Sequence, residues 1–121
     1  MKKILFFLLI SANVFTFAQQ TDKEDIKKAI KKESIGGRMD FSKMVEEKYS
    51  YAPLIGFGNT LYNKKDFAIL LWGAKVKNLG IESLDETNKL WEEIYKRTLT
   101  DSERKALKTG FETKTRIRQM F

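Results

Sequence analysis

Asp66-Phe67-Ala68-Ile69-Leu70-Leu71-Trp72-Gly73-Ala74-Lys75-Val76-Lys77-Asn78-Leu79-Gly80-Ile81 is the stretch on which the fold turns. Phe67 to Trp72 is apolar on nearly all sides, and periodicity does not separate a buried strand from a buried helix in so short a run. Two features favour a helix that is capped by Asp66 and runs to Leu79. Ala, Leu and Lys are good helix formers. Leu79-Gly80-Ile81 has the form of a Schellman ending, with glycine just past the last turn and an apolar residue after it. A helix that is apolar all round is normally a central one, and Gly73 and Ala74 leave room for a neighbour to come close. The expected fold class is therefore all-α, a small bundle of four or five helices around this central apolar helix. The alternative is α+β, with Phe67–Trp72 as a buried strand.

Amphipathic segments flank that centre. Upstream, Asp22 to Ser34 carries Ile26, Ala29 and Ile30 as a narrow apolar stripe, and Gly36-Gly37 ends it. A second helix starts at Asp40 as N-cap, with Phe41, Met44, Val45, Lys48 and Tyr49 on one face and Pro53 closing it. Residues 53–63 read as a short helix or an apolar loop. Downstream, Ser83-Leu84-Asp85-Glu86 has the form of a capping box. Leu84, Leu90, Trp91, Ile94, Tyr95 and Thr98 follow it as one broad face. Asp85–Lys89, Glu92–Lys96 and Glu93–Arg97 have the spacing and order of favourable helical ion pairs. Thr100-Asp101-Ser102-Glu103 is a second capping box, opening a helix with Ala106, Leu107, Gly110, Ile117 and Phe121 on one side. The short Leu99-Thr100 turn implies that these last two helices form an antiparallel pair.

The chain begins Met1-Lys2-Lys3, then runs apolar from Ile4 towards Phe17-Ala18. A basic start, a short apolar run and small residues at the cut are the features of a secretory signal peptide. Cleavage is expected between Ala18 and Gln19, leaving residues 19–121 as a single helical domain. Ile4 to Ala18 is shorter than the roughly 20 residues of a membrane-spanning helix, so no integral span is expected after cleavage. Export implies a periplasmic or extracellular location.

The chain has no Cys and no His. A disulfide framework, the common zinc, haem and iron–sulfur ligand sets, and every mechanism using His as base or Cys as nucleophile are therefore excluded. No cofactor and no metal site is expected. Ser102-Glu103-Arg104-Lys105 and Lys108-Thr109-Gly110 match short motifs of penicillin-binding proteins. Those motifs require a buried helix and a separate strand, whereas both matches here fall on one surface helix, so no catalytic residue is assigned to them. Gly56-Phe57-Gly58 lacks the further glycine, lysine and preceding strand of a phosphate-cradling loop and reads as a turn. The adjacent acids Glu46-Glu47 and Glu92-Glu93 point about 100° apart on a helix, which suits a solvated surface better than a catalytic pair across a cleft.

The functional hint is charge. The formal net charge is +7, a mild excess that favours acidic partners or anionic surfaces. Lys27, Lys28, Lys31 and Lys32 share one face of the first helix, and Arg104, Lys105, Lys108 and Arg116 share one face of the last. These eight are the candidate anion- or partner-binding residues. The plain alternative is that they keep the domain soluble. Three functions remain open: a non-catalytic binding or interaction module whose ligand the sequence does not assign, an acidic protein or an anionic envelope component being the candidate partners; an envelope-surface module holding anionic lipid, polymer or nucleic acid; and a small carboxylate-based hydrolase. The first is favoured, and nucleic acid is not the expected partner. The aromatics Tyr49, Tyr51, Phe57, Tyr62, Phe67 and Trp72 read as core before pocket.

Overall fold

In the computed structural model, which describes residues 22–113, the chain is mostly helical. It runs through helix α1 (22–34), α2 (Phe41–Lys48), a hairpin of β1 (Ile55–Phe57) and β2 (Thr60–Tyr62), then α3 (Lys64–Leu79), α4 (Leu84–Tyr95) and α5 (Asp101–Glu112). The expected signal peptide and its cut after Ala18, together with Arg116, Ile117 and Phe121, lie outside the described residues. No helix among the described residues is long and apolar enough to cross a membrane.

The central helix forms as its composition predicts. Phe67–Trp72 lies inside α3, which sets aside a strand there. Phe67, Leu70, Leu71, Trp72 and Val76 are all buried, because neighbours cover α3 on more than one side. Its start differs from expectation. Asn63, not Asp66, is the N-cap: its backbone is extended, and its side-chain oxygen accepts the Asp66 N–H at 2.7 Å. Asp66 falls in the first turn instead, where a carboxylate still complements the helix dipole. The far end is the Schellman form anticipated. Gly80 N–H donates to the Lys77 carbonyl at 3.1 Å, and Ile81 N–H to the Val76 carbonyl at 3.3 Å.

Residues 53–63 correct the sequence reading: they contain neither a helix nor a simple loop. Ile55 pairs with Tyr62, Gly56 with Leu61 and Phe57 with Thr60 in an antiparallel hairpin. The two-residue Gly58-Asn59 turn closes it, with Gly58 at φ +61°. Glycine first in a two-residue turn matches the right-handed twist of the flanking strands. Pro53 does not end α2, which stops at Lys48 with Tyr49 as its cap.

The helix α5 packs chiefly across α3, not along α4 as the short connecting turn suggested. A Cβ placed on Gly73 would lie 2.6 Å from the Leu107 carbonyl oxygen, and one on Gly110 would overlap the Leu70 carbonyl oxygen. The two backbones meet at a distance that only glycine permits. The chain end of α1 is tied to the centre by a buried relay: Trp72 Nε1 donates to Ser34 Oγ at 2.9 Å, and Ser34 Oγ donates to the Ile30 carbonyl at 2.6 Å. Every polar atom in that relay is satisfied, so it stabilises instead of costing desolvation.

Most aromatics are core, as expected. Phe67 and Trp72 are buried, Tyr49 meets Phe67 edge-on at 5.9 Å, and Phe57 and Tyr62 are half-buried. Tyr51 is the exception at 99% exposed, since it falls in the turn between α2 and β1. Thr98 is likewise exposed beyond the end of α4. Thr87, which was not expected on that face, is buried, its hydroxyl donating to the Ser83 carbonyl at 2.9 Å.

Candidate functional site

The lysines of α1 do not stand as one free face. Lys31 Nζ lies 2.6 Å from Glu93 on α4, Lys23 Nζ 3.0 Å from Glu86, and Lys27 Nζ 3.9 Å from the second Glu86 oxygen. Lys27 and Lys31 are thus spent on a seam of ion pairs joining α1 to α4. Lys28 and Lys32 remain exposed. This seam redirects the acids of α4. Ser83 Oγ accepts the Glu86 N–H at 3.2 Å, but the Glu86 carboxylate reaches α1, so the box is formed on one arm. Glu92 leaves its i+4 lysine as well, accepting the Leu99 N–H at 2.8 Å and standing 3.7 Å from Arg104.

The second capping box forms on both arms, and its glutamate has a larger role than a cap. Glu103 is 1% exposed. Arg97 grips it bidentately at 2.7 and 2.6 Å, Lys65 lies 3.1 Å away, and the Thr100 N–H donates to it at 2.8 Å. Arg97 above all holds the Glu103 carboxyl well below the usual carboxylate range; burial pushes the other way, and the Thr100 amide and Lys65 assist Arg97. The Arg97 guanidinium also stacks on Trp91, 4.6 Å from its ring centre. This cluster ties α3, α4 and α5 together. It keeps Glu103 ionised, which is the opposite of what a general acid needs. Glu86 is also shifted down, by its hydrogen bond from Lys23, and burial pushes the Tyr95 phenol up.

The basic residues of α5 are placed differently. Arg104 turns towards Glu92. Lys105 and Lys108 are exposed and line a recess of about 420 Å³ between α5 and the hairpin. Lys105 has no carboxylate within ion-pair distance among the described residues, and Lys108 has only Glu112 of its own helix, at 3.9 Å. Thr60, Leu61 and Tyr62 of β2 form the opposite wall, Asp66 is buried at the floor, and Ser102 and Thr109 complete the α5 side. Leu61 is 66% exposed. The recess therefore sets an apolar side chain that stays in water on the wall opposite Lys105.

Two other recesses are less suited to an anion. In the α1–α4 seam, Lys27 and Lys31 already meet carboxylates. A groove of about 400 Å³ over Ile30, Met39, Phe41, Met44 and Leu79 is more apolar, and its rim mixes Glu33 with Arg38 and Lys75. No group of His, Cys, Asp and Glu that could hold a metal occurs among the described residues.

Of the eight candidate residues, the structure brings Lys105 and Lys108 to one recess, places Lys27 and Lys31 in ion pairs, turns Arg104 towards Glu92, and leaves Lys28 at the α1–α4 recess and Lys32 exposed, while Arg116 lies outside the described residues. The hairpin wall was missed in the sequence, although Gly58-Asn59 between two short runs of alternating apolar residues is a hairpin signal. No family model matches the chain, and neither a curated protein nor a solved structure matches it.

Proposed function

We propose that the protein is an exported, non-catalytic binding module that docks an acidic protein partner at the recess between α5 and the hairpin. The observation that carries this reading is the sharing of one recess by exposed Leu61 and unpaired Lys105. Apolar contact supplies affinity, and the lysines supply attraction and select against basic partners. Export rests on the Met1–Ala18 pattern. Glu103 and Glu86 are held in ion pairs with their carboxyls shifted down, so neither is suited to act as a general acid.

The test is binding of the protein to polyglutamate, anionic vesicles and duplex DNA across a salt series. Polyglutamate binding should weaken as salt rises, because exposed charges are screened within about 8 Å at physiological ionic strength. Lys105→Glu with Lys108→Glu should abolish it without unfolding the protein, whereas Lys28→Glu with Lys32→Glu should leave it. Preference for vesicles or DNA, or loss only with the α1 pair, would overturn the assignment to this recess.

A further inference from the structure

Resting on that acidic-partner reading, we infer that the recess takes an extended acidic peptide segment, which adds as a third strand to the free edge of β2. The hairpin register dictates what that edge offers. Phe57 and Thr60 close a two-residue turn, so the N–H of each donates to the C=O of the other. In an antiparallel ladder hydrogen-bonded and non-hydrogen-bonded pairs alternate. The Gly56–Leu61 pair is therefore the wide one, and the N–H and C=O of Leu61 point away from β1. The recess lies along that edge: its strand wall is three consecutive residues of β2 and includes none of β1. An edge with unpaired backbone groups is a template for another strand.

The surroundings select which strand. Lys105 and Lys108 stand across the recess from the edge and attract carboxylates. Leu61, at 66% exposed, leaves apolar surface on β2. Side chains of an added strand alternate between faces, so a segment with apolar residues in one row and acids in the other matches both. With three residues in β2, the pairing is short, and the lysines must contribute much of the attraction.

The experiment uses a capped seven-residue peptide alternating glutamate and valine, titrated into the protein. Its controls are two versions N-methylated at alternate backbone nitrogens, one for each row. On binding, the Leu61 amide should gain protection from hydrogen exchange. One N-methylated version should bind at least about tenfold more weakly, as loss of hydrogen bonds requires. Equal binding by all three peptides, still abolished by Lys105→Glu with Lys108→Glu, would overturn strand pairing and leave the acidic-partner reading standing. Failure of every peptide and of polyglutamate to bind at low salt would overturn both.

Discussion

Gly73 and Gly110 are reciprocal. Each abuts the carbonyl of the residue three before the other, Gly73 meeting Leu107 and Gly110 meeting Leu70. This exchange sets the crossing of α3 and α5. It also explains a glycine in the last turn of α5, where alanine would favour the helix by up to about 1 kcal/mol.

Gly110→Ala should therefore destabilise despite its better helix propensity. Its Cβ meets backbone, which yields less readily than a side-chain tip, and overpacking of this kind costs about 1–3 kcal/mol or more. Gly73→Ala, whose Cβ would stand 2.6 Å from the Leu107 oxygen, should lose stability as well, but less. Urea melts of both variants measure this. A Gly110→Ala variant as stable as the parent would contradict the crossing.

Trp72 and Trp91 are 2% and 4% exposed. Replacing either with Ala should cost about 3–5 kcal/mol. Ser34→Ala tests a finer point, because it strands Trp72 Nε1 without removing the ring. A buried donor left without a partner costs about 1–3 kcal/mol, so the thermal midpoint should fall while the helical spectrum at low temperature stays unchanged.

The sign of the pH dependence follows from Glu103. Its folded pKa lies below its unfolded one, with Arg97 as the main cause. Its contribution to stability is thus fully present above the unfolded value of 4.5, and is lost as the pH falls towards the depressed folded value. Urea midpoints from pH 7 to pH 3 should drop more steeply for the parent than for Glu103→Gln. At neutral pH, Glu103→Ala should cost about 2–4 kcal/mol, since it breaks a buried pair and removes half of a capping box.

The proposed export makes a prediction in mass. The protein recovered from outside the cytoplasm should begin at Gln19. An intact Met1 on membrane-bound protein would replace the cleaved leader with an anchor.

Much of the helical frame is legible in the chain, because local chemistry decides it. The Thr100 capping box, the Gly80 ending and the all-round apolar character of Phe67–Trp72 each act within a few residues. What escapes is decided across the fold. Glu92 and Glu93 have well-spaced partners on their own helix, yet one turns to the Leu99 amide and the other to Lys31. Glu103 reads as a cap and is also the buried partner of Arg97 and Lys65. For the same reason the two basic faces look alike in sequence and differ in space: Glu86 and Glu93 of α4 stand against Lys27 and Lys31, Glu92 stands against Arg104, and no carboxylate among the described residues lies within ion-pair distance of Lys105. The hairpin is a different matter. Gly58-Asn59 signals it locally, but the neighbouring Gly56 and the short strands obscure the alternation.

The most direct test of the docking surface is a residue-by-residue map of polyglutamate binding by amide chemical shifts. Shifts should concentrate at Thr60–Tyr62 and along Ser102–Thr109, with Leu61 and Lys105 among the largest and with little change at Lys28 and Lys32. Shifts centred on α1, or spread evenly over every exposed lysine, would contradict it.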